Sequence, residues 1–455
     1  MQSCLLAAAA AAALIAGPAC ADQKYPATLV AQAILPAATF IAAPADAPDS
    51  LRVAAKYTNP DRRRVDALAT VPGMDGVRPT GLSMPFDGQA VQGFSGIKTM
   101  PDGTFWSLSD NGFGSKANSV DAALMLHHLK IDWATGKVDR IETIFLADPD
   151  RKVWFPIVHE GTTERYLTGA DFDIESIQPV ADGFWIGDEL GPFLLKVDLK
   201  GHVMSVIDTL ADGQPVRSPD HPALVMPANP TAKLPVFNAA RSRGFEGLAQ
   251  SPDGSKLYGL LEGALYKADG TQEMVDGHPA LRILEFDVAK QAWTGRFWLY
   301  PFADGGESIG DFNLVDATSG LVIERDQGVG SATKACADPK APKPDCFTSP
   351  ARLKRIYKIA FGDANVGGAV TKIGYIDLLN IADPKSMKRQ GGGDGFYDMP
   401  FNTIENVDLV DATHIIVADD NNLPFSAGRA LDRADDNEFV LLEVGDFLKA
   451  AAPTQ

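Results

Sequence analysis

Phe245-Glu246-Gly247-Leu248-Ala249-Gln250 runs into Pro252-Asp253-Gly254 and then into Leu257-Tyr258-Gly259-Leu260-Leu261-Glu262-Gly263. Two short apolar runs flank a turn, and Pro, Asp and Gly preset turn dihedrals. The stretch reads as a β-hairpin with an acid at each strand of its open end. Four more stretches repeat it. They are Phe94-Ser95-Gly96 to Ser109-Asp110-Asn111, Ile174-Glu175-Ser176 to Gly187-Asp188-Glu189, Gly310-Asp311-Phe312 to Ile323-Glu324-Arg325, and Ile404-Glu405-Asn406 to Ala418-Asp419-Asp420. The marked positions lie ~13–16 residues apart, the length of two ~5–6-residue strands and a turn.

Repetition of one supersecondary unit implies stacking around an axis or along a line. Further strand-like runs follow the hairpins: Leu124–Asp132 and Val138–Phe145, Phe193–Asp198 and Val203–Thr209, Ile283–Asp287 and Thr294–Tyr300, Arg355–Ala360 and Thr371–Leu378. The fifth hairpin has only Phe439–Val444, and Thr28–Leu35 is available to complete it. The expected fold is all-β, a β-propeller of five to six four-stranded blades, its ring closed by an N-terminal strand that leaves no exposed edge. Residues 43–90, rich in Pro, Asp and Arg, read as irregular surface with room for a sixth blade. Short helical turns are expected over 119–128 and 446–452. The domain reading is a signal peptide over 1–21, a closing strand and irregular segment over 22–90, and the propeller over 91–447.

Leu5–Ile15 is an apolar, alanine-rich core, and Ala19-Cys20-Ala21 is an Ala-x-Ala cleavage pattern before Asp22. Met1-Gln2-Ser3-Cys4 lacks the usual positive charge, and Gly17 stands where a lipoprotein signal carries leucine ahead of a lipidated Cys20. A periplasmic or secreted location follows. No later stretch reaches the ~18 apolar residues of a membrane span. Cys336 and Cys346 bracket a Pro-rich loop and read as a disulfide, because no other Cys or His stands nearby to complete a metal site.

The chain carries a net charge of −18. That excludes nucleic acid and anionic membrane surfaces as partners, since both are held by basic patches. Acids crowded at one mouth of a ring repel and need protons or a cation. Asp110, Asp188, Glu189, Glu262, Asp311, Glu324, Asp419 and Asp420 are the candidate ligands of a divalent cation, calcium foremost. Glu175, Glu246 and Glu405 are the candidate catalytic carboxylates, and Lys98, Arg243, Arg325 and Arg429 the candidate substrate-binding cations. The structural alternative is that these acids accept backbone N–H bonds or pair with the arginines. Serine chemistry is weakly signalled: no Gly-x-Ser-x-Gly occurs, and Ser95 needs a histidine brought to it in space. His127-His128 alternate to opposite faces of a strand and cannot share a metal.

Gly93-Phe94-Ser95-Gly96, Asp188-Glu189-Leu190-Gly191-Pro192, Arg243-Gly244-Phe245-Glu246-Gly247-Leu248, Val322-Ile323-Glu324-Arg325-Asp326 and Ala418-Asp419-Asp420-Asn421-Asn422 together resemble the phytase-like domain called "esterase-like activity of phytase". The resemblance covers about Gly93 to Val444. It implies a secreted bacterial β-propeller that hydrolyses phosphate or carboxylic esters, with a small-molecule ester or phosphoester as partner. Two other functions fit the same acids: a non-catalytic propeller that binds a ligand or partner, and a calcium-dependent lactonase-like hydrolase. Oligomeric state is not written in the sequence.

Overall fold

A computed structural model describes residues 23–452 except 60, 66–69, 230 and 232, so the expected signal peptide lies outside the described residues. The fold is all-β and propeller-like. Strand pairing sorts most of the chain into five sets of four antiparallel strands. The first is Phe94–Thr99, Phe105–Ser109, Met125–Asp132 and Lys137–Phe145. The second is Ile174–Val180, Gly183–Asp188, Phe193–Val197 and Val203–Asp208. Phe245–Gln250, Lys256–Leu261, His278–Asp287 and Ala292–Pro301 form the third. Ser308–Asp316, Ser319–Arg325, Lys354–Ala360 and Thr371–Asp377 form the fourth. The fifth is Thr403–Leu409, His414–Asp420, Asn437–Glu443 and, from the other end of the chain, Thr28–Leu35.

The burial pattern explains the stacking. Phe193–Val197 is buried at all five positions, because both its faces are covered by neighbouring sets. The outer strand Lys137–Phe145 faces water, with only Val138 and Ile144 buried. Apolar clusters sit between successive sets. Leu108 and Leu126 meet Ile177 and Ile186, Trp185 and Leu194 meet Leu248 and Phe286, and Ile283 and Trp298 meet Phe312 and Tyr357. Ile323 and Ile356 pack on Val407 and Val417, and Ile416 and Phe439 pack on Phe94 and Ile97, which brings the fifth set against the first. Trp106 and Trp185 belong to these cores.

Two expectations change. Residues 43–90 are not merely irregular: Val71–Asp75 and Arg78–Met84 form a hairpin, and Val53–Ala54 pairs with Phe86–Asp87. No four-stranded unit occurs there among the described residues. The segment packs Met84 and Phe86 against Phe113 and Leu423, and so shelters the loops of the first and fifth sets. Over 119–128 the helical turn gives way to strand from Met125, which pairs with Ser109 and Phe145. The C-terminal helix is present as Gly445–Lys449. Cys336 and Cys346 are disulfide-bonded. Among the described residues no helix is long and apolar enough to cross a membrane.

The N-terminal strand buries Ala33 completely in the cluster shared by the fifth and first sets. Ala33→Asp should therefore cost about 3 kcal/mol or more, because it strands a carboxylate in an apolar seam. Urea denaturation of the purified protein measures this; a loss below 1 kcal/mol (on the order of the median point mutation) would mean the strand is dispensable.

Candidate active site

In every set the first strand holds at least one residue too many. Ile174 pairs with Asp188 but Ser176 with Gly187; Phe245 pairs with Leu261 but Gly247 with Leu260; Ile404 pairs with Asp419 but Asn406 with Ala418. The first and fourth sets jump alike, between Ser95 and Ile97 and between Ile309 and Phe312. Such β-bulges bend a strand and re-aim a side chain. The residue after the last regular pair is Gly96, Glu175, Glu246, Gly310 or Glu405. Across the hairpins the matching positions are Asp110, Glu189, Glu262, Arg325 and Asp420.

These two rings converge. Eight acids and Arg325 are among the residues lining a cavity of about 130 Å³. Glu175, Glu246 and Glu405 each place a carboxylate oxygen within 4.8 Å of the others. Asp173, Glu175 and Glu189 form a second such group, and Glu189, Glu246 and Glu262 a third. All are buried. The inner strands approach closely enough to need glycine: a Cβ on Gly96, whose φ is +67°, would lie 2.9 Å from the Cα of Ser176. A Cβ on Gly310 would lie 2.1 Å from the carbonyl oxygen of Ile404.

Few cations answer this charge. Arg325 pairs with Glu405 at 3.0 Å and with Glu262 at 3.6 Å. Arg243 pairs with Glu262 and donates to the Ser308 hydroxyl at 2.8 Å. Glu405 also accepts from Ser95 at 3.1 Å, so that serine is held by a carboxylate, not by a histidine. The Oε1 atoms of Glu246 and Glu189 are buried with no hydrogen-bond partner. Burial, reinforced by neighbouring acids, pushes Asp110, Glu175, Glu189 and Glu246 well above the usual carboxylate range. Burial first and Asp420 second raise Glu405 to about 8, against the pull of Arg325. Asp173 and Asp420 rise to about 6, again mainly by burial, with N–H and hydroxyl donors restraining them.

The other sequence candidates stand outside the cavity. Asp188 accepts the backbone N–H groups of Asp173, Gly191 and Phe193 at 2.8, 2.8 and 3.2 Å. Glu324 accepts from Tyr300, Ala303 and Lys372 at 2.6–2.8 Å, and Asp419 from the N–H of Glu438 at 2.6 Å. All three are one residue short of the ring, and successive strand residues face opposite ways. Asp311 is one residue past it; it accepts the N–H groups of Ile97, Phe312 and Val407 and ties three inner strands together. Lys98 bonds Asp408 at 2.8 Å and Asn313 at 3.2 Å, and Asn313 also joins Gln178 in the polar plug among the inner strands. Arg429 is buried between Glu438 and Asp398, each at 2.8 Å. His127 and His128 do face apart, one bonded to Ser109 and Thr143, the other stacked on Trp106.

Asp173, Thr403, Asn111, Ser242 and Asn422 also line the cavity and were not singled out by the sequence. The alternation Asp171-Phe172-Asp173-Ile174-Glu175 was the available signal for Asp173.

A curated protein of Arthroderma benhamiae described as an uncharacterized secreted protein is 25% identical over 239 residues. The match spans 42% of this chain and 46% of that protein, so the chain accounts for about half the length of that relative. Among solved structures, the luciferin-regenerating enzyme aligns at a TM-score of 0.30 and 11% identity, over 77% of this chain and 91% of that one. The PQQ-bound aldose sugar dehydrogenase of Streptomyces coelicolor aligns at 0.29 and 11% identity, over 83% and 96%. Scores of this size assign no chemistry. The model of the family described as "Phytase-like: Esterase-like activity of phytase" matches residues 89–423, most of the chain, and this protein belongs to that family.

Proposed function

We propose that this protein is a secreted or periplasmic hydrolase of ester bonds, phosphoesters ahead of carboxylic esters, working with a divalent cation in the carboxylate cavity. Its frame in this reading is a five-bladed propeller closed by Thr28–Leu35, supported by the five strand sets and by the apolar contact of the fifth with the first. The observation that carries the functional reading is the triad Glu175, Glu246 and Glu405, three buried carboxylates within 4.8 Å on the first strands of the second, third and fifth sets, with Glu246 Oε1 unpartnered. Oxygen-only donors in that number suit a hard cation, calcium foremost. Such a cation would polarise an ester oxygen and acidify a bound water. Arg325 stands beside Glu405 to offset charge that develops on a phosphoryl group. A carboxylate not engaged by the cation can then take the proton of the attacking water.

Glu246→Gln and Glu405→Gln should each lower calcium-dependent turnover of the accepted substrate by at least ~100-fold, on the scale of losing a general base, while the protein stays folded. The substrate class is read by offering aryl phosphate, aryl phosphodiester, aryl acetate and lactone, each with calcium and with chelator. Turnover that survives both substitutions would remove the cavity from the chemistry, and lactone turnover alone would identify a lactonase-like enzyme.

The raised carboxyls also fix a pH dependence. Their neutral forms are favoured in the fold, so the stability they contribute is complete below pH ~4, the usual carboxyl range. It is lost as pH rises through about 6 for Asp173 and Asp420 and about 8 for Glu405. Without divalent cation, Tm should fall between pH 5 and pH 8.5. Protons and cation compete for the same oxygens, so added calcium should raise Tm more at pH 8 than at pH 5.5. Differential scanning calorimetry at the two pH values tests this; an equal or smaller increment at pH 8 would place calcium elsewhere.

A further inference from the structure

We propose that a second pocket beside the carboxylate cavity binds the apolar body of the substrate, so that the protein prefers phosphoesters of hydrophobic alcohols. This rests on the hydrolase reading of the cavity and names its substrate class.

The second pocket encloses about 620 Å³ against about 130 Å³ in the acid cavity. The chain makes the two adjacent at three separate points. Gly114 lines the cavity and Ser115 the pocket; Ser242 lines the cavity and Arg241 the pocket; Asp173 lines the cavity and Asp171 the pocket. Val120, Ile157, Val158 and Ala170 supply apolar walls. Val158 is 43% exposed, an apolar side chain left facing open space. Arg62, Lys116 and Arg241 supply positive charge in a chain whose net charge is −18. The two acids of the pocket are already engaged. Asp171 accepts the N–H groups of Val158 and Thr168 at 2.9 and 2.8 Å and the Thr168 hydroxyl at 3.0 Å. Asp220 pairs with Arg241 at 2.9 Å, so the net positive charge of the rim comes from Arg62 and Lys116.

Apolar walls with a cationic rim suit an organic anion: the hydrocarbon leaves water and the charge meets lysine and arginine. A compact polyanion would gain little from those walls. With the phosphoryl group at the carboxylate cavity, the alcohol portion extends across Gly114 or Ser242 into the pocket. Hydrolysis there adds the oxygen of water to phosphorus and breaks the ester P–O bond. One proton of that water leaves with the alcohol.

The test uses the full mature chain with chelator and the fluorescent anion 8-anilinonaphthalene-1-sulfonate. One saturable site is expected. Octyl phosphate should displace the probe, while methyl phosphate and inorganic phosphate at the same concentration should not. Val158→Asp, and Lys116→Glu combined with Arg241→Glu, should each weaken probe binding at least tenfold. Equal displacement by methyl and octyl phosphate, a comparison that needs no variant, would overturn the proposal, as would unchanged binding in both variants. With calcium, kcat/KM should favour octyl over methyl phosphate at least tenfold. Turnover with equal kcat/KM for the two esters would overturn the pocket and leave the hydrolase reading standing. No turnover of either, with the stated binding pattern, would retain the pocket and remove the hydrolase reading.

Discussion

One extra residue in the first strand of each hairpin decides the centre of this molecule. A regular strand would send alternate side chains to the two faces of its sheet. The bulge breaks that alternation once and turns Glu175, Glu246 and Glu405 toward a common point. Everything else in the site depends on those five inner strands meeting tightly, which Gly96 and Gly310 permit by having no Cβ to clash with the next strand.

The cost of this arrangement is electrostatic. Buried carboxylates at such spacing cannot all ionise without compensation, and two arginines do not balance eight acids. The fold supports the cluster from outside with groups that are fully satisfied. Asp188 and Asp311 accept backbone N–H bonds, and the Arg429–Glu438 pair anchors the third strand of the fifth set. Structural acids and site acids therefore alternate along the same short motifs. Asp188 and Asp311 accept donors on both carboxylate oxygens, while the site acids keep oxygens such as Glu246 Oε1 and Glu189 Oε1 unpartnered.

The neighbourhood of the cluster is asymmetric. On one side the segment 43–90 packs over the loops of the first and fifth sets. On another, the loops around Lys116, Val158 and Arg241 leave an apolar, cationic recess. The inner strands are also tied to one another by Asn313, Gln178 and the Lys98–Asp408 pair.

The five hairpins, their turns, the all-β class and the strand that joins the fifth set from the N-terminus were legible in the sequence, because turn residues and apolar periodicity are local signals. So was the pairing of Cys336 with Cys346, the two cysteines that lie beyond residue 21. Which acids face the axis was not legible. Glu189 and Asp188 are neighbours with opposite fates, and Asp311 is displaced by one from the position that Gly310 holds. A single inserted residue reverses every side chain that follows it, and bulges leave no mark in composition or spacing. Only the packing of five inner strands against one another decided the register, and with it the difference between a backbone-bonded acid and a member of the site.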